Sequence, residues 1–418
     1  MSSEQSPSYS VSPKYLDEFS CVGSACRDTC CAGWRVTIDK STFKKYRRVN
    51  HIELRPLLNK NIKPVNPAER SNDQFATIRL DRAGSCPFLD KKLCKIQAEI
   101  GESMLSNTCR TYPRSVHVRD GIRGEFLSPS CPEAARLIFA REDSLDLIVN
   151  TAHNVQGAPQ HISVGGWGLS PKSSALLQVI SLEIIKRRHY PVWRRIAALA
   201  TFLFGVDQAV DQKMLTNSPE EVISSFSHDA AIDTLLDIDA YPEPALEKQF
   251  QLFRELWKSN RRSFYYEFAS DLQKSVIRDL LDKDSDDAAE PAIQSHTLER
   301  YEAGLYLLNR FLKKNEYLMT NYLLNEIGRR SFPMDDGSNS LWRECQGFVS
   351  GFGILRYMLA LRAERCGAMF GIDEFTDTVT VYSKRIEHNA SFGKAVKDCF
   401  NIASVSSLPL LVSMIRDE

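Results

Sequence analysis

The sequence predicts a mainly α-helical protein with an irregular, cysteine-rich N-terminal module that contains short strands. Two observations predict this class. Eight of the eleven cysteines fall within the first 131 of 418 residues, where short β-type stretches alternate with turn residues. Beyond this region, apolar residues recur at three- and four-residue steps, the spacing of helices that pack one face inward. We therefore expect the module to be followed by a helical, bundle-like region.

The overall composition excludes several classes of protein. With 43% hydrophobic and 25% charged residues, the chain is ordinary for a globular protein. Its 53 basic and 53 acidic residues give a formal net charge of zero, so no global charge attracts nucleic acid or an anionic membrane. No apolar run is long enough to span a bilayer, and the polar start lacks a secretory signal. We expect a cytoplasmic protein without a nucleic-acid partner or membrane insertion.

Changes in composition along the chain predict its domain organisation. The acidic stretch LDKDSDDAAEPA, residues 281–292, has the character of a linker. The predicted parts are a flexible tail at 1–20, a cysteine-rich metal module at 21–131, a helical domain at 132–283 and a C-terminal helical domain at 293–418.

Within the module, three stretches have β-type composition: WRVTI (34–38), FATIRL (75–80) and GIRGEFL (121–127). The turn-rich segments around them leave little regular core. Bonds to a metal would supply the cross-links that such a module lacks.

Local start signals predict the helices. The segment SPSCPEAARLIFA is predicted to open the first helix, with Ser130 as N-cap, Pro132 in the first turn and Glu133 completing a capping box. Further helices are predicted to start near Pro171, Pro191, Ser218, Pro244 and Ser263, then as a pair over 298–328, over 340–367 and from Asp373.

The clustered cysteines are predicted to be metal ligands, because disulfides are rare in a reducing compartment. Their order is C-x4-C-x3-C-C, a gap of 54 residues, C-x7-C-x14-C and a final cysteine. A helical turn in ACRDTCC would place Cys26 and Cys30 on one face. Thiolate-only ligation suits either an iron–sulfur cluster or zinc. The candidates, ranked, are Cys26, Cys30, Cys86, Cys94 and Cys109, then Cys31, Cys21 and Cys131.

The three remaining cysteines, Cys345, Cys366 and Cys399, sit among apolar helical residues and are interpreted as small core residues. Arg110 and Arg114 flank Cys109 and are either hydrogen-bond donors to the metal thiolates or ordinary surface residues.

The cysteine motifs also carry a family resemblance. CVGSACRDTCCAGW, together with CPFL, TCRTYPR and SCPEAARL, resembles the flagellin lysine-N-methylase (FliB) family, and its CxxxCC core resembles the YkgJ-type cysteine-rich module. The match is strongest over 19–140 and weaker in YLMTNYLLNEIGRRSFP. The resemblance implies methyl transfer from S-adenosylmethionine to lysine side chains of flagellin in the cytoplasm. It also implies a [4Fe-4S] cluster, with zinc as the alternative metal.

The residues by themselves give weak support for a methyltransferase. The glycines of ISVGGWGLS and VSGFGIL lack the strand–turn–helix context of a nucleotide site, so a turn or a close helix crossing is the preferred interpretation. The three-cysteine C-x3-C-x2-C loop of radical enzymes is absent from the sequence. Tyr112, Tyr265 and Tyr266 are candidates to line a lysine site, although such residues more often simply pack.

Two functions therefore remain open at this point: a lysine methyltransferase, and a non-catalytic iron–sulfur or zinc protein that acts as a redox or interaction module. For the metal itself, folding the N-terminal module is preferred over binding of S-adenosylmethionine or redox gating.

Overall fold

The structure is a computed structural model with all side chains. It describes residues 9–82, 84–119, 122–151, 160–161, 169–210, 218–238, 241–260, 270–280, 297–334, 340–387 and 408–416. The predicted linker 281–292, Cys399, Tyr265, Tyr266 and the glycines at 165, 166 and 168 lie outside these ranges.

The strands are short and concentrated in the N-terminal third. They are β1 (Tyr9–Pro13), β2 (Thr37–Ile38), β3 (Ile62–Pro64), β4 (Ala76–Ile78), β5 (Leu89–Asp90), β6 (Leu93–Cys94), β7 (Arg114–Arg119), β8 (Ile122–Leu127), β9 (Leu147–Thr151) and β10 (Gln160–His161). All three stretches predicted to be β contain a strand, namely β2, β4 and β8.

Helices make up most of the remainder. They are α1 (Lys40–Tyr46), α2 (Leu54–Asn61), α3 (Lys95–Ile100), α4 (Asn107–Thr111), α5 (Pro132–Ile138), α6 (Pro171–Lys186), α7 (Val192–Val210), α8 (Pro219–Ser225), α9 (Asp229–Leu236), α10 (Leu246–Asn260), α11 (Asp271–Leu280), α12 (Leu298–Leu312), α13 (Glu316–Arg329), α14 (Leu341–Cys366), α15 (Ile372–Tyr382) and α16 (Leu408–Ser413). The predicted mainly α class is confirmed.

A mixed five-stranded sheet joins β1 to the strands that follow residue 113, in the order β10-β7-β8-β1-β9. Strand β1 runs parallel to β8 and antiparallel to β9, while β7 and β8 form an antiparallel pair. Beyond residue 131, the strands among the described residues are β9 and β10. This arrangement differs from the doubly wound parallel sheet of common nucleotide-binding folds.

Residues 9–20 differ from the flexible tail that the sequence suggests. Residues 9–13 form β1, and Tyr15 is completely buried. The Tyr15 hydroxyl accepts a hydrogen bond from the Leu127 amide at 3.0 Å and donates to Asn325 Oδ1 at 2.6 Å. A polar, Ser/Pro-rich sequence conceals this role because all of the partners are distant in the chain.

Among the described residues, two main hydrophobic cores can be distinguished, beside a small cluster of Trp193, Ala197 and Val412. The smaller core lies under the cysteine-rich segments and includes Val36, Ile38, Tyr46, Leu54, Leu58, Ala76, Ile78, Phe88 and Ile96. The larger core is formed mainly by the helices, with α14 buried over most of its 26 residues. The proposed boundaries at 131/132 and 283/293 remain predictions.

Close contacts with neighbouring helices explain three glycines of the long helices. A Cβ atom on Gly304 would lie 2.1 Å from the Ala360 carbonyl oxygen, so α12 and α14 touch at this point. A Cβ on Gly353 would lie 2.1 Å from the Phe253 ring, and one on Gly351 would lie 2.9 Å from the Tyr382 hydroxyl. The VSGFGIL glycines lie inside α14 and approach side chains of α10 and α15, so of the two interpretations, helix packing suits the structure better than a turn.

Helix caps agree with the sequence at several positions and differ at one. Ser218 forms the capping box of α8, and Ser170 caps α6. The predicted cap at Ser130 is wrong, because Cys131 occupies the N-cap position of α5 without a side-chain hydrogen bond. Ser130 is instead buried, with its hydroxyl 3.0 Å from the Tyr112 hydroxyl. A tertiary partner thus replaces the local one.

Across the described ranges, no helix combines the length and apolar character that a membrane crossing requires.

Candidate metal centre and adjoining cleft

The first cysteine segment folds as a series of turns. Gly23–Ala25 form a single 3-10 turn, and Cys26 is extended, with φ −60° and ψ 135°. The helical turn considered for ACRDTCC is therefore not formed, and Cys26 and Cys30 share no helix face. Gly33 has a φ of +82°, a left-handed conformation that favours glycine. This turn directs the chain from the cysteine pair into β2.

Backbone hydrogen bonds bring the two halves of the motif together. The Cys86 amide donates to the Cys31 carbonyl at 2.7 Å, and the Gly33 amide donates to the Gly84 carbonyl at 3.0 Å. Cys94 ends the β5–β6 pair, where it faces Leu89. The 54-residue gap between the cysteine sets is thus closed by a direct contact between their ends.

Cys109, the next cysteine along the chain, lies on α4. Ser106 caps this helix by accepting a hydrogen bond from the Cys109 amide at 3.2 Å. Cys86 belongs to the smaller core, and Cys31, Cys94 and Cys109 pack against it. Cys131 packs against the larger core instead. Four cysteines are therefore in contact with the small core.

The thiols influence one another electrostatically. A hydrogen bond from the Cys31 thiol lowers the pKa of Cys30 to about 7, burial opposes this, and the Lys384 ammonium adds to the lowering. The same hydrogen bond raises the pKa of Cys31. Burial raises the pKa of Cys86 to about 11 and that of Cys109 to about 12, and thiolates at Cys30 and Cys94 add to both shifts. Cys30, Cys31, Cys86, Cys94 and Cys109 thus form one interacting group.

Cys21, Cys26 and Cys131 lie beside this group. Burial raises the pKa of Cys26, with further contributions from Asp28, Cys21 and Cys30. Burial also raises the pKa of Cys131 to about 12, and the neighbouring thiolates are Cys26 and Cys30. Cys30 is therefore the residue common to both sets.

The donor set fits a thiophilic metal. Buried thiols with raised pKa values are deprotonated readily only when a cation compensates the charge, as a bound metal does. In the arrangement described here, no three His, Cys, Asp or Glu side chains within the described ranges are already placed to hold one ion. Ligation would require side-chain rotation, and the eight ligand cysteines remain a prediction.

The other cysteines have different surroundings. Cys345 is buried within α14, and burial raises its pKa. The Cys366 sulfur lies 4.0 Å from Asp279 Oδ2. The two arginines that flank Cys109 are also held elsewhere: Arg110 donates to Asn107 Oδ1 at 2.7 Å, and Arg114 pairs with Glu125 at 3.0 Å. Arg110 is thus held at the surface and Arg114 is partly buried beside Glu125, and a role of either at the thiols stays a prediction.

A buried ion pair connects the cysteine loop to the C-terminal helices. Asp28, between Cys26 and Cys30, accepts hydrogen bonds from Lys384 Nζ at 2.7 Å and from Gln273 Nε2 at 2.8 and 2.9 Å. Lys384 also donates to the Thr29 carbonyl. Lys384 lies in a π-helix, Ser383–Glu387, that continues α15. Lys384 and Gln273 could not be predicted from the sequence, because each stands among other polar residues, in YSKRIE and SDLQKS.

An open cleft of about 520 Å³ is lined by residues next to the cysteine segments, among them Trp34 and Thr108. The Trp34 and Tyr112 rings lie 5.4 Å apart with an angle of 33° between their planes. The Trp34 indole donates to the Cys30 carbonyl at 2.8 Å. The side chains that line the cleft include Trp34, Gln74, Asn107, Tyr112, Arg114 and Arg329. Of the three tyrosines proposed to line a site, Tyr112 does line this cleft.

Arg329 closes the cleft at the end of α13. Its Nε donates to Glu326 Oε1 at 3.0 Å, and its Nη2 donates to Glu326 Oε2 and, at 3.1 Å, to Glu387 Oε2. The Tyr322 hydroxyl donates to Glu387 Oε1 at 3.1 Å. The two carboxylates hold the guanidinium in place at the boundary between the cleft and the helical core.

Comparison with known proteins identifies relatives along nearly the whole chain. The FliB lysine N-methylase C-terminal domain matches residues 178–414. The lysine-N-methylase of Salmonella typhimurium is 25% identical over 397 residues, which is 91% of this chain and 92% of that protein. The lysine-N-methylase of Salmonella choleraesuis is 25% identical over 394 residues, with the same coverage.

A shorter relative is more similar. The flagellar biosynthetic protein FliU of Salmonella muenchen is 37% identical over 137 residues, which is 32% of this chain and 79% of that protein. No solved structure matches the chain. Because the matched domain alone spans more than half of the sequence, the chain belongs to the FliB lysine N-methylase family.

Proposed function

We propose that the protein transfers methyl groups from S-adenosylmethionine to lysine side chains of flagellin. The observation that carries this proposal is the family membership, with relatives named lysine-N-methylase aligned over 91% of the chain. The flagellar name of the shorter relative supports flagellin as the substrate.

In this reaction the lysine nitrogen attacks the sulfonium methyl group in line, and S-adenosylhomocysteine leaves as the carbon–sulfur bond breaks. The attacking amine must be neutral, although a free lysine has a pKa of about 10.4. A partly enclosed site favours the neutral amine, because desolvation penalises the charged form. It also holds the two reactants at bonding distance.

We further propose that the N-terminal thiols form a YkgJ-type module that holds a [4Fe-4S] cluster. The donor set supports this, because sulfur ligands suit iron–sulfur clusters and zinc. Four ligands would come from the interacting group of Cys30, Cys31, Cys86, Cys94 and Cys109, with Cys21, Cys26 and Cys131 beside it. When bound, the cluster supplies covalent cross-links between loops that have few of their own.

The test uses anaerobically purified, metal-loaded protein with flagellin and S-adenosylmethionine. We expect intact-mass spectrometry to show flagellin heavier by whole methyl increments, and peptide mapping to place them on lysine. The control reaction contains S-adenosylhomocysteine in place of the donor. Flagellin unchanged in mass, with protein that carries its full metal content, would support the non-catalytic redox or interaction module instead. Iron and sulfide analysis separates the cluster from zinc.

A further inference from the structure

We propose that the cleft between Trp34 and Arg329 is the binding site for the methyl donor. This inference rests on the proposed function and adds to it the location of the donor. The cleft volume, about 520 Å³, lies within the range of about 300–1,000 Å³ that is usual for small-molecule sites. Its walls combine aromatic, cationic and neutral polar groups, which match the separate chemical parts of an adenosyl amino acid.

The aromatic part of the cleft suits an adenine base. Bases stack on aromatic side chains, and each such contact contributes about 1–3 kcal/mol. The Trp34 ring is held in orientation by the bond from its indole nitrogen to the Cys30 carbonyl. Tyr112 is held by its hydroxyl contact with Ser130. Two anchored rings therefore offer a stacking surface that does not need to be ordered by the ligand.

The cationic part suits the carboxylate of the methionyl group. Arginine binds carboxylates in a directed, often bidentate manner. The side chain of Arg329 is 11% exposed, and its bonds to Glu326 and Glu387 use Nε and Nη2 but not Nη1. The Arg114 side chain is 32% exposed and lines the same cleft.

Neutral polar side chains form a third part of the lining. Asn107 and Thr108 begin α4, the helix that carries Cys109, and the Thr108 hydroxyl lies 2.8 Å from that of Thr37. Hydroxyl and amide groups of this kind bind ribose hydroxyls. Asp73 and Gln74 are exposed at the rim of the cleft.

The cleft is built from residues close to the cysteines. The Trp34 indole donates a hydrogen bond to the Cys30 backbone carbonyl, and Thr108 precedes Cys109 in the sequence. A donor bound there would therefore depend on the fold of the metal module. This arrangement links the cysteine-rich segment to methyl transfer without assigning the metal any step in the reaction.

The test measures binding of S-adenosylhomocysteine to metal-loaded protein by equilibrium dialysis. Gln74→Trp places a bulky ring in the cleft from an exposed position. The matched control, Asn309→Trp, fills a second cleft of about 380 Å³ on α12 that includes Tyr306 and Arg310. We expect Gln74→Trp to weaken binding by about tenfold or more, and Asn309→Trp to leave it unchanged. Circular dichroism verifies that both variants are folded.

A second measurement follows tryptophan emission during the same titration. We expect the ligand to quench emission in the wild type, and Trp34→Phe to abolish that quenching while keeping an aromatic ring. Unaltered binding by Gln74→Trp, or loss of binding in Asn309→Trp, would overturn the location but leave the proposed function standing. Wild-type protein that neither binds the ligand nor methylates flagellin would refute both.

Discussion

The small core beneath the thiols and the large helical core differ in how they are held together. Around the small core, the elements are short: β2, β5 and β6 contain two residues each, and α2 contains eight. The large core contains α14, whose 26 residues are buried over most of their length. Short elements bury little apolar surface, so we expect the small core to depend on additional cross-links, whereas the long helices bury a larger core of their own.

The largest expected effect comes from removing a thiol. Cys30→Ser or Cys94→Ser is expected to cause loss of metal, to destabilise the protein by about 4–5 kcal/mol or more, and to abolish methylation. Metal analysis, thermal denaturation and the flagellin assay measure the three effects.

Cys366→Ser is the matched control and is expected to retain its metal, because Cys366 lies at the end of α14. Cysteine variants with wild-type melting temperature but without methyl transfer would show that the metal acts in binding or catalysis. Variants that keep both stability and activity would refute the metal site at those cysteines.

The next effect concerns the connection between the two regions. Lys384→Met leaves the buried carboxylate of Asp28 without its cation, which is expected to cost about 3–5 kcal/mol. Urea denaturation measures the loss. The control is Arg141→Met, which breaks an exposed pair with Glu18 and is expected to cost at most about 1 kcal/mol.

The double variant Asp28→Asn/Lys384→Met sharpens this prediction. It removes both charges, so part of the lost stability should return. Equal costs for Lys384→Met and Arg141→Met would show that the ion pair does not join the regions energetically.

Overpacking the helical core is expected to have a smaller effect. Gly304→Ala places a methyl group against the Ala360 carbonyl and is expected to cost about 1–3 kcal/mol, without loss of metal. The control is Gly347→Ala on α14, where a Cβ meets no atom within 4 Å. That variant is expected to be more stable by about 0.5–1 kcal/mol, because alanine favours the helix. Calorimetry of both variants, with metal analysis, decides the outcome.

The last predicted effect is a pH dependence in the helical core. Burial raises the pKa of Glu326 to about 7 from an ordinary value of 4.5. Because the folded state holds this proton more tightly than the unfolded state, stability falls as the pH rises from 4.5 to 7. The loss across this range is expected to be at most about 3 kcal/mol, the free-energy equivalent of that pKa difference.

Glu326→Gln mimics the protonated carboxyl group and should remove this contribution. Denaturation midpoints at both pH values measure it. An unchanged pH dependence in the variant would contradict the assignment to Glu326.

The sequence predicts best what local signals determine. Ser218 and Ser170 stand beside their own helices, so the starts of α8 and α6 could be predicted. Ser130 satisfies the same local rule, but its hydroxyl is engaged by Ser128 and Tyr112, and the cap moves to Cys131. Local rules fail here because a tertiary contact competes with them.

The candidate site shows the same limit. Cysteine spacing predicts a group of thiols, but not that Cys30, Cys31, Cys86, Cys94 and Cys109 form one set with Cys131 beside it. The partner of Asp28 lies 356 residues away in the sequence, at Lys384. The cleft is likewise assembled from separate segments, which have no periodicity in common.

The buried position of Tyr15 has a consequence for synthesis. Strand β1 is synthesised before β8 and β9, with which it pairs, and the Tyr15 hydroxyl bonds to a residue 310 positions later. At translation rates of about 5–20 residues per second, roughly 15–60 s separate Tyr15 from its partner. Throughout that interval, Tyr15 has not yet formed its hydrogen bond to Asn325 and is not fully buried, and before β8 and β9 are synthesised the backbone of β1 lacks hydrogen bonds to them. We therefore expect a chaperone to bind the growing chain at this segment.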